Sequence, residues 1–266
     1  MIRDITIGQY YQTNSVIHSL DPRVKLMGTL IFIISLFLGM NILVYIVATL
    51  ALAGLIIASK VPFKFIVRGL KAILILILIS AAFNLFLTPG TVIFKVWKIT
   101  ITDRGLKTAI FMVIRLVYLI MGSSLMTLTT TPNNLTDGLE KGLSFLKYIK
   151  VPVHEIAMMM SIALRFIPIL IDETDKIMRA QQARGADFET GNFIKRAKAM
   201  VPILVPLFIS AFRRADDLAM AMEARCYHGS NGRTKMKPLK YSKNDYLAYL
   251  ILILYLGICI SLNIIF

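Results

Sequence analysis

The chain has 266 residues, is 57% hydrophobic and carries a formal net charge of +15. An average soluble domain is roughly 45–50% apolar, so the composition points away from an ordinary soluble enzyme and toward a membrane protein. The basic excess does not indicate nucleic acid, because it lies between uncharged apolar stretches rather than along one surface.

Residues 26–59 carry no charge, and neither do residues 72–94 or 246–266. A helix needs about 20 apolar residues to cross a bilayer. The first stretch is long enough for two helices joined by a tight turn at "GMN", Gly39–Asn41. Five spans are expected in chain order, at roughly 24–40, 42–59, 68–88, 105–129 and 245–266. The residues before the first span are mostly polar, unlike the basic start and immediate apolar core of a cleaved signal peptide. Lys and Arg gather at 21–25, at 60–71 and through 131–245. The positive-inside rule then puts the N-terminus and 131–245 in the cytoplasm and Phe266 outside. The loop 89–104 is an exception, because it is expected outside yet holds Lys95, Lys98 and Arg104. Arg115 is the one charge deep within a span, where it bonds backbone carbonyls near a break at Asn84–Pro89 or faces a partner.

After "TTTPNN" (129–134) the pattern changes. Leu135, Leu139, Leu143 and Leu146 recur at helical spacing and predict a short amphipathic helix, ended by "KVP" at 150–152. Two long helices follow, from Val153 to about Arg184 and from about Gly191 to Arg225. Their first halves are apolar and their second halves charged and Ala-rich. Pro168, Pro202 and Pro206 predict kinks. The apolar halves are short for a span, so the helices are read as lying against the inner membrane face and extending into the cytoplasm. Two further short spans are the alternative. The chain thus divides into a membrane segment 1–130, a cytoplasmic segment 131–242 and a last span 243–266.

The two long helices end alike. "DKIMRAQQARGADF" (175–188) overlays "DDLAMAMEARCYHG" (216–229) at one constant offset, matching Asp175 with Asp216, Ala180 with Ala221, Ala183 with Ala224 and Arg184 with Arg225. Small residues let helix backbones approach closely, so the helices are expected to cross near these alanines. A single Arg in a last turn is accounted for by the helix dipole, worth about 0.3–1 kcal/mol, with Gly185 as a cap. Two in matching context suggest two equivalent jobs. Arg at a projecting tip offers a planar fork of donors suited to a carboxylate, and two tips suit a dimeric partner.

With "ARG" at 183–185, "ARC" at 224–226 and the lead-in "SVIHSLDPRVKL" at 15–26, the chain resembles the transmembrane T component of energy-coupling factor (ECF) vitamin transporters, the EcfT or CbiQ-like family. The family commonly has Gly where this chain has Cys226. The resemblance implies an all-α integral membrane protein with about five transmembrane helices and a cytoplasmic coupling domain of one short and two long helices. It implies that Ala183, Arg184 and Gly185, with Ala224, Arg225 and Cys226, contact two ABC ATPase subunits, each Arg entering a groove on one of them. It also implies a membrane-embedded substrate-binding S component as a further partner. ATP and Mg would be held by the ATPases, with no cofactor on this chain.

The residues agree with a non-catalytic role. There is no G-x-x-x-x-G-K-[ST] phosphate loop. "HEIAM" (154–158) lacks the second His of a zinc-protease motif, and the three histidines are far apart. Cys226 and Cys259 do not indicate a disulfide. Half of the 14 methionines fall between residues 155 and 225. Met is adaptable and over-used on surfaces that fit several partners, which makes Met158, Met159 and Met160 candidates for the S-component interface. Filler in kinked helix packing explains them equally well. The alternatives are a T component dedicated to one substrate such as cobalt or biotin, a stand-alone secondary transporter, which the lack of buried acids disfavours, and a membrane enzyme, which lacks a nucleophile or metal set.

Overall fold

The computed structural model describes residues 10–39, 41–96, 99–188, 192–229, 236 and 238–265. Met40, Lys98, Gly191 and Phe266, named above in the turn, the loop, the start of the last long helix and the C-terminus, lie outside the described residues. The chain forms two compact units, one of residues 10–142 with 239–265 and the other of residues 143–238.

The first unit begins with a single turn, α1 (Val16–Ser19). Helix α2 (Pro22–Phe37) starts where Asp21 accepts the Arg23 amide at 2.9 Å and Pro22 supplies a helical φ at the first position. Asn41 caps α3 (Ile42–Ser59) in the same way at 3.0 Å. Helix α4 (Phe63–Leu87) bends by 61° between Phe63–Lys71 and Ile73–Leu87. A hairpin follows, β1 (Val92–Val96) pairing antiparallel with β2 (Ile99–Thr102). Thr102 then caps α5 (Asp103–Thr129), and α6 (Pro132–Gly142) and α9 (Lys243–Ile265) complete the unit.

The all-α expectation therefore holds apart from one hairpin within the segment read as a loop. "TVIFKV" and "ITIT" flank it with the β-branched residues that favour strands. Among the described residues four helices are long and apolar enough to cross a membrane, α3, α5, α9 and α7 (Val153–Ala183), with α4 a fifth if its bent halves form one span. The total agrees with the five expected, but the membership differs. At 16 residues α2 extends about 24 Å, less than the ~30 Å hydrocarbon core. Helix α7 is among them because its first half is apolar over the length of a span, despite its charged second half.

A small core is enclosed by Phe32, Leu36, Tyr45, Leu52, Ile66, Phe111 and Leu125. Gly122 lets α5 approach α2, since a Cβ there would lie 2.9 Å from the Phe32 ring. Much of the remaining apolar surface faces outward, as with Ile75 at 70% exposure. In water such a surface would drive association, whereas in lipid it is the expected exterior.

Two hydrogen-bonded clamps tie α9 to the two ends of α2, far away in sequence. At one end the buried Asp245 carboxylate accepts the Asp21 amide at 2.8 Å and both the amide and hydroxyl of Ser242. Beside it Arg23 forks onto Asp21 and stacks 3.9 Å above the Tyr241 ring. At the other end Asn41 donates to the Leu262 carbonyl and Asn263 to the Leu38 carbonyl.

The expected amphipathic helix is divided. Regular α6 stops at Gly142, and a tighter 3-10 segment runs over Ser144–Ile149 until Lys150 turns left-handed at φ 62°. In the second unit α7 and α8 (Phe193–Ala224) each run unbroken through their prolines for 31 and 32 residues. The rise of an α-helix makes each roughly 50 Å long.

Candidate partner-contact site

The two long helices end in the same backbone motif. In α7 the amide of Gly185 donates to the Gln182 carbonyl at 2.9 Å and that of Ala186 to the Gln181 carbonyl at 3.0 Å. In α8 the amide of Cys226 donates to the Glu223 carbonyl at 2.8 Å and that of Tyr227 to the Met222 carbonyl at 3.1 Å. This is the Schellman arrangement, in which a left-handed residue after the cap turns the chain back over the last orphan carbonyls. The left-handed residues are Gly185, at φ 87°, and Cys226, at φ 55°. The third position of each Ala-Arg-X triplet is therefore a backbone switch. Gly takes it without strain, and a side chain there costs roughly 1 kcal/mol.

Cys226→Gly should accordingly stabilise the end of α8 by about 1 kcal/mol, and Gly185→Ala should weaken the end of α7 by about as much. Amide exchange at residues 226–227 and 185–186 reads both directly. Equal exchange in parent and variants would mean that neither end depends on its left-handed residue.

Because the backbone closes each helix, the arginine side chains are not needed for capping. Arg184 and Arg225 occupy the cap positions, with φ of −87° and −94°. Both side chains are exposed, and among the described residues neither guanidinium has a hydrogen-bond or ion-pair partner. Ala183 and Ala224 are also exposed, one residue before each tip. The structure thus presents two matching cationic forks on matching supports.

The helices do not meet at the alanines. Ala180, Ala183, Ala221 and Ala224 are all exposed. Contact occurs earlier, where Arg214 donates to the Glu173 carboxylate at 2.8 Å and the Ser210 hydroxyl bonds the same carboxylate. These bonds hold the Glu173 carboxyl below the usual value, the Ser210 bond foremost. Glu173 and Arg214 stand at the same offset as Arg184 and Arg225. They are equivalent positions of the repeat, so the two helices touch at the same point along each. The fixed offset was the available signal for this pair. The alanine spacing does not mark it, because small residues favour close packing only where a partner helix lies against them.

Of the methionines, Met158 is half-buried, whereas Met159 and Met160 are 58% and 40% exposed. Ile156 on the same helix and Phe208 and Phe212 on α8 are exposed too. The apolar half of this unit therefore offers an uncovered, adaptable surface, while its two charged tips carry the arginines.

The profile of the family described as "CbiQ: Cobalt transport protein" matches residues 13–236. The chain is 57% identical over 265 residues to the energy-coupling factor transporter transmembrane protein EcfT of Clostridium kluyveri, covering 98% of this chain and 97% of that protein. It is 56% identical to the protein of the same description from Ruminiclostridium cellulolyticum, over 93% of this chain and 92% of that one. Against the Bacillus subtilis protein so described, identity is 47%, over 92% and 93% of the two chains.

Proposed function

The chain belongs to the CbiQ family of transport proteins, and from that premise we propose that it is the transmembrane coupling subunit of an ECF-type importer. In this reading it joins two ABC ATPase subunits to a membrane-embedded S component that binds a vitamin or another micronutrient. It performs no catalysis, and ATP and Mg are bound by the ATPases. The observation that carries the reading is the pair of matching helix ends, each closed by its own backbone and each leaving an exposed Arg fork. A side chain that served only the helix would be spent on its carbonyls.

Residues 1–130 and 243–266 are assigned to the membrane and 131–242 to the cytoplasm, with the apolar half of α7 laid against the inner membrane face although it is long enough to cross, and with the N-terminus inside, on the Lys and Arg distribution. A cysteine at position 187 should resist impermeant reagents in intact cells and react once the membrane is opened. Labelling from outside would reverse the topology. Ala183, Gly185, Ala224 and Cys226 are assigned to the ATPase contact along with the arginines, as supports that keep bulk away from each fork. Met158, Met159 and Met160 are assigned to the S-component interface on their clustering and adaptability. Photo-crosslinkers at 159 and 160 should reach a small membrane protein; if they reach only this chain, the methionines are packing filler.

The family's description names cobalt, which favours a subunit dedicated to one substrate as a second reading. The relatives' names specify no substrate, which suits a subunit shared among several S components. Affinity purification of the tagged chain from its own cells tests the proposal. Recovery of two ATPases and at least one small membrane protein supports it, several different small proteins mark the shared kind, and a chain recovered alone that still supports uptake contradicts it.

A further inference from the structure

The first leg of α4, Phe63–Lys71, gathers cations on one face. Lys60 ends α3 in a left-handed turn at φ 56°, and Lys64, Arg68 and Lys71 follow. Spacings of four and three put the last three on one side of the helix. All four side chains are exposed. On the other side Ile66 is wholly buried, and a Cβ at Gly69 would lie 2.9 Å from the Ser124 hydroxyl of α5. The cationic face therefore points away from the core. No Asp or Glu occurs between Asp21 and Asp103, and among the described residues none of the four cations forms an ion pair. Arg115 differs, since it lies midway along α5 and donates to the Tyr45 hydroxyl at 3.0 Å, not to carbonyls near Asn84–Pro89.

Contacts to the other helix ends fix the level of this leg in its unit. Phe65 packs on the Tyr11 ring at 5.1 Å, and the Tyr11 amide donates at 2.9 Å to the carbonyl of Leu128, next to the end of α5. Lys25 donates to the Thr129 carbonyl at 2.9 Å, which brings the start of α2 to the same place. The bond from the Asp21 amide to Asp245 brings the start of α9 there as well. The end of α3 is joined to the leg by Lys60, Val61 and Pro62 alone. So α2, α4 and α9 begin, and α3 and α5 end, at one level. Beyond Lys71 the surface turns apolar, because residues 72–94 carry no charge and Ile75, Leu76 and Leu78 are exposed. The cations thus stand at the edge of the apolar band, where hydrocarbon gives way to headgroups. The bend keeps them there. Inclined by 61° to the second leg, nine residues climb about 7 Å along it instead of about 14 Å. Phe63, also exposed, adds an apolar anchor beside the row.

The geometry points to the first leg of α4 as a binding surface for anionic phospholipid, with headgroup phosphates seated along Lys60, Lys64, Arg68 and Lys71. A row of cations beside a span attracts negatively charged lipid at the leaflet surface. Zwitterionic lipid offers the same phosphate with a compensating ammonium, so net charge selects the anionic kind. The long Lys and Arg stems lie along apolar surface while their charged ends reach the headgroups. In a phospholipid the phosphate and the acyl chains meet at one level, as the cations and the exposed apolar residues do here. An acidic peptide on the row would leave Ile75, Leu76 and Leu78 uncovered. The inference requires only that this unit spans a bilayer, and not the coupling role or the side on which either terminus lies.

The test uses the purified full chain in lipid nanodiscs, with a phosphatidylglycerol that carries a photoreactive headgroup as the probe. Peptides spanning residues 60–71 of the parent should be labelled. Unlabelled phosphatidylglycerol should protect them, and phosphatidylcholine of the same acyl chains should not. This competition needs no variant to fold. Lys64→Gln, Arg68→Gln and Lys71→Gln combined should lose the labelling, with affinity falling roughly fivefold for each charge removed. Lys141→Gln, Lys147→Gln and Lys150→Gln combined remove the same charge from other exposed positions and should leave it unchanged. Arg68→Lys should keep most of it, because the row offers charge and not a single fork. Protection by phosphatidylcholine, or equal labelling of the parent and the α4 triple variant, would overturn the assignment. So would an equal loss in both triple variants, which would reduce the effect to net charge. A photo-crosslinker at 68 that joins a partner protein and no lipid in native membranes would overturn it too. Loss of the ATPases is not among these outcomes, so the coupling role stands or falls separately.

Discussion

The chain carrying both Arg184→Ala and Arg225→Ala is expected to insert and fold, yet to be purified without ATPases and to support no uptake. Removing one member of a buried, hydrogen-bonded charge pair across an interface costs about 2–5 kcal/mol, and roughly every 1.4 kcal/mol is a tenfold change in affinity. Either single change should weaken assembly and slow uptake, because the other tip still holds. The two losses should reinforce each other when combined, since no second anchor remains. Lys should be a poor substitute at either position, because it offers a point charge where Arg offers a planar fork. The helices should survive these changes, because their ends are closed by the amides of residues 185–186 and 226–227 and not by the side chains removed. Co-purification and uptake assays on the parent, both singles and the double read the effect. A double variant that keeps its ATPases and transports normally would reduce both arginines to helix ends.

Asp245→Ala should produce the largest stability loss in the membrane unit. The carboxylate is 1% exposed and accepts three hydrogen bonds, from the Asp21 amide and from the amide and hydroxyl of Ser242. Alanine leaves those donors without an acceptor, at a cost of about 3 kcal/mol. The damage should be local at first, with α9 released from α2 before the rest of the unit opens. Asp245→Asn should cost less, because one carbonyl oxygen remains to accept. Thermal unfolding with limited proteolysis between residues 229 and 243 measures both. A midpoint within about a degree of the parent would mean that the clamp adds no stability.

Much of this architecture was legible because membrane insertion leaves a coarse signal. Apolar runs long enough to span, with few or no charges, locate α3, α5 and α9 to within a few positions. The bounds of α7 and α8 also follow closely from the sequence, since an apolar-periodic run ends in Ala-Arg at each. Helix α2 was harder, because a run of apolar residues does not reveal where a helix yields to a turn. It ends at Phe37, and the turn there is held by Asn41 and Asn263 from elsewhere in the chain. The pairing of Val92–Val96 with Ile99–Thr102 was hidden because Lys95 reads as a loop residue while the β-branched residues around it read as strand.

The candidate site divides in a similar way. The repeat identified Arg184 and Arg225, and the backbone explains why Gly suits X in Ala-Arg-X: that residue turns left-handed to close the helix. The contact between α7 and α8 was not legible from the alanines. It includes the bonds of Arg214 and Ser210 to Glu173, and Glu173 and Arg214 are ordinary surface residues until the offset of the repeat is applied to them. Arg115 was visible as a charge out of place, but its bond to Tyr45 required the register of α2, α3 and α5.

The most direct measurement places a photo-reactive amino acid at 184 and, separately, at 225, in a chain expressed with its native partners. Each position should crosslink to an ATPase subunit, and the two positions should mark related grooves on two subunits. Crosslinks confined to this chain or to lipid at both positions would contradict the coupling role assigned to the arginines.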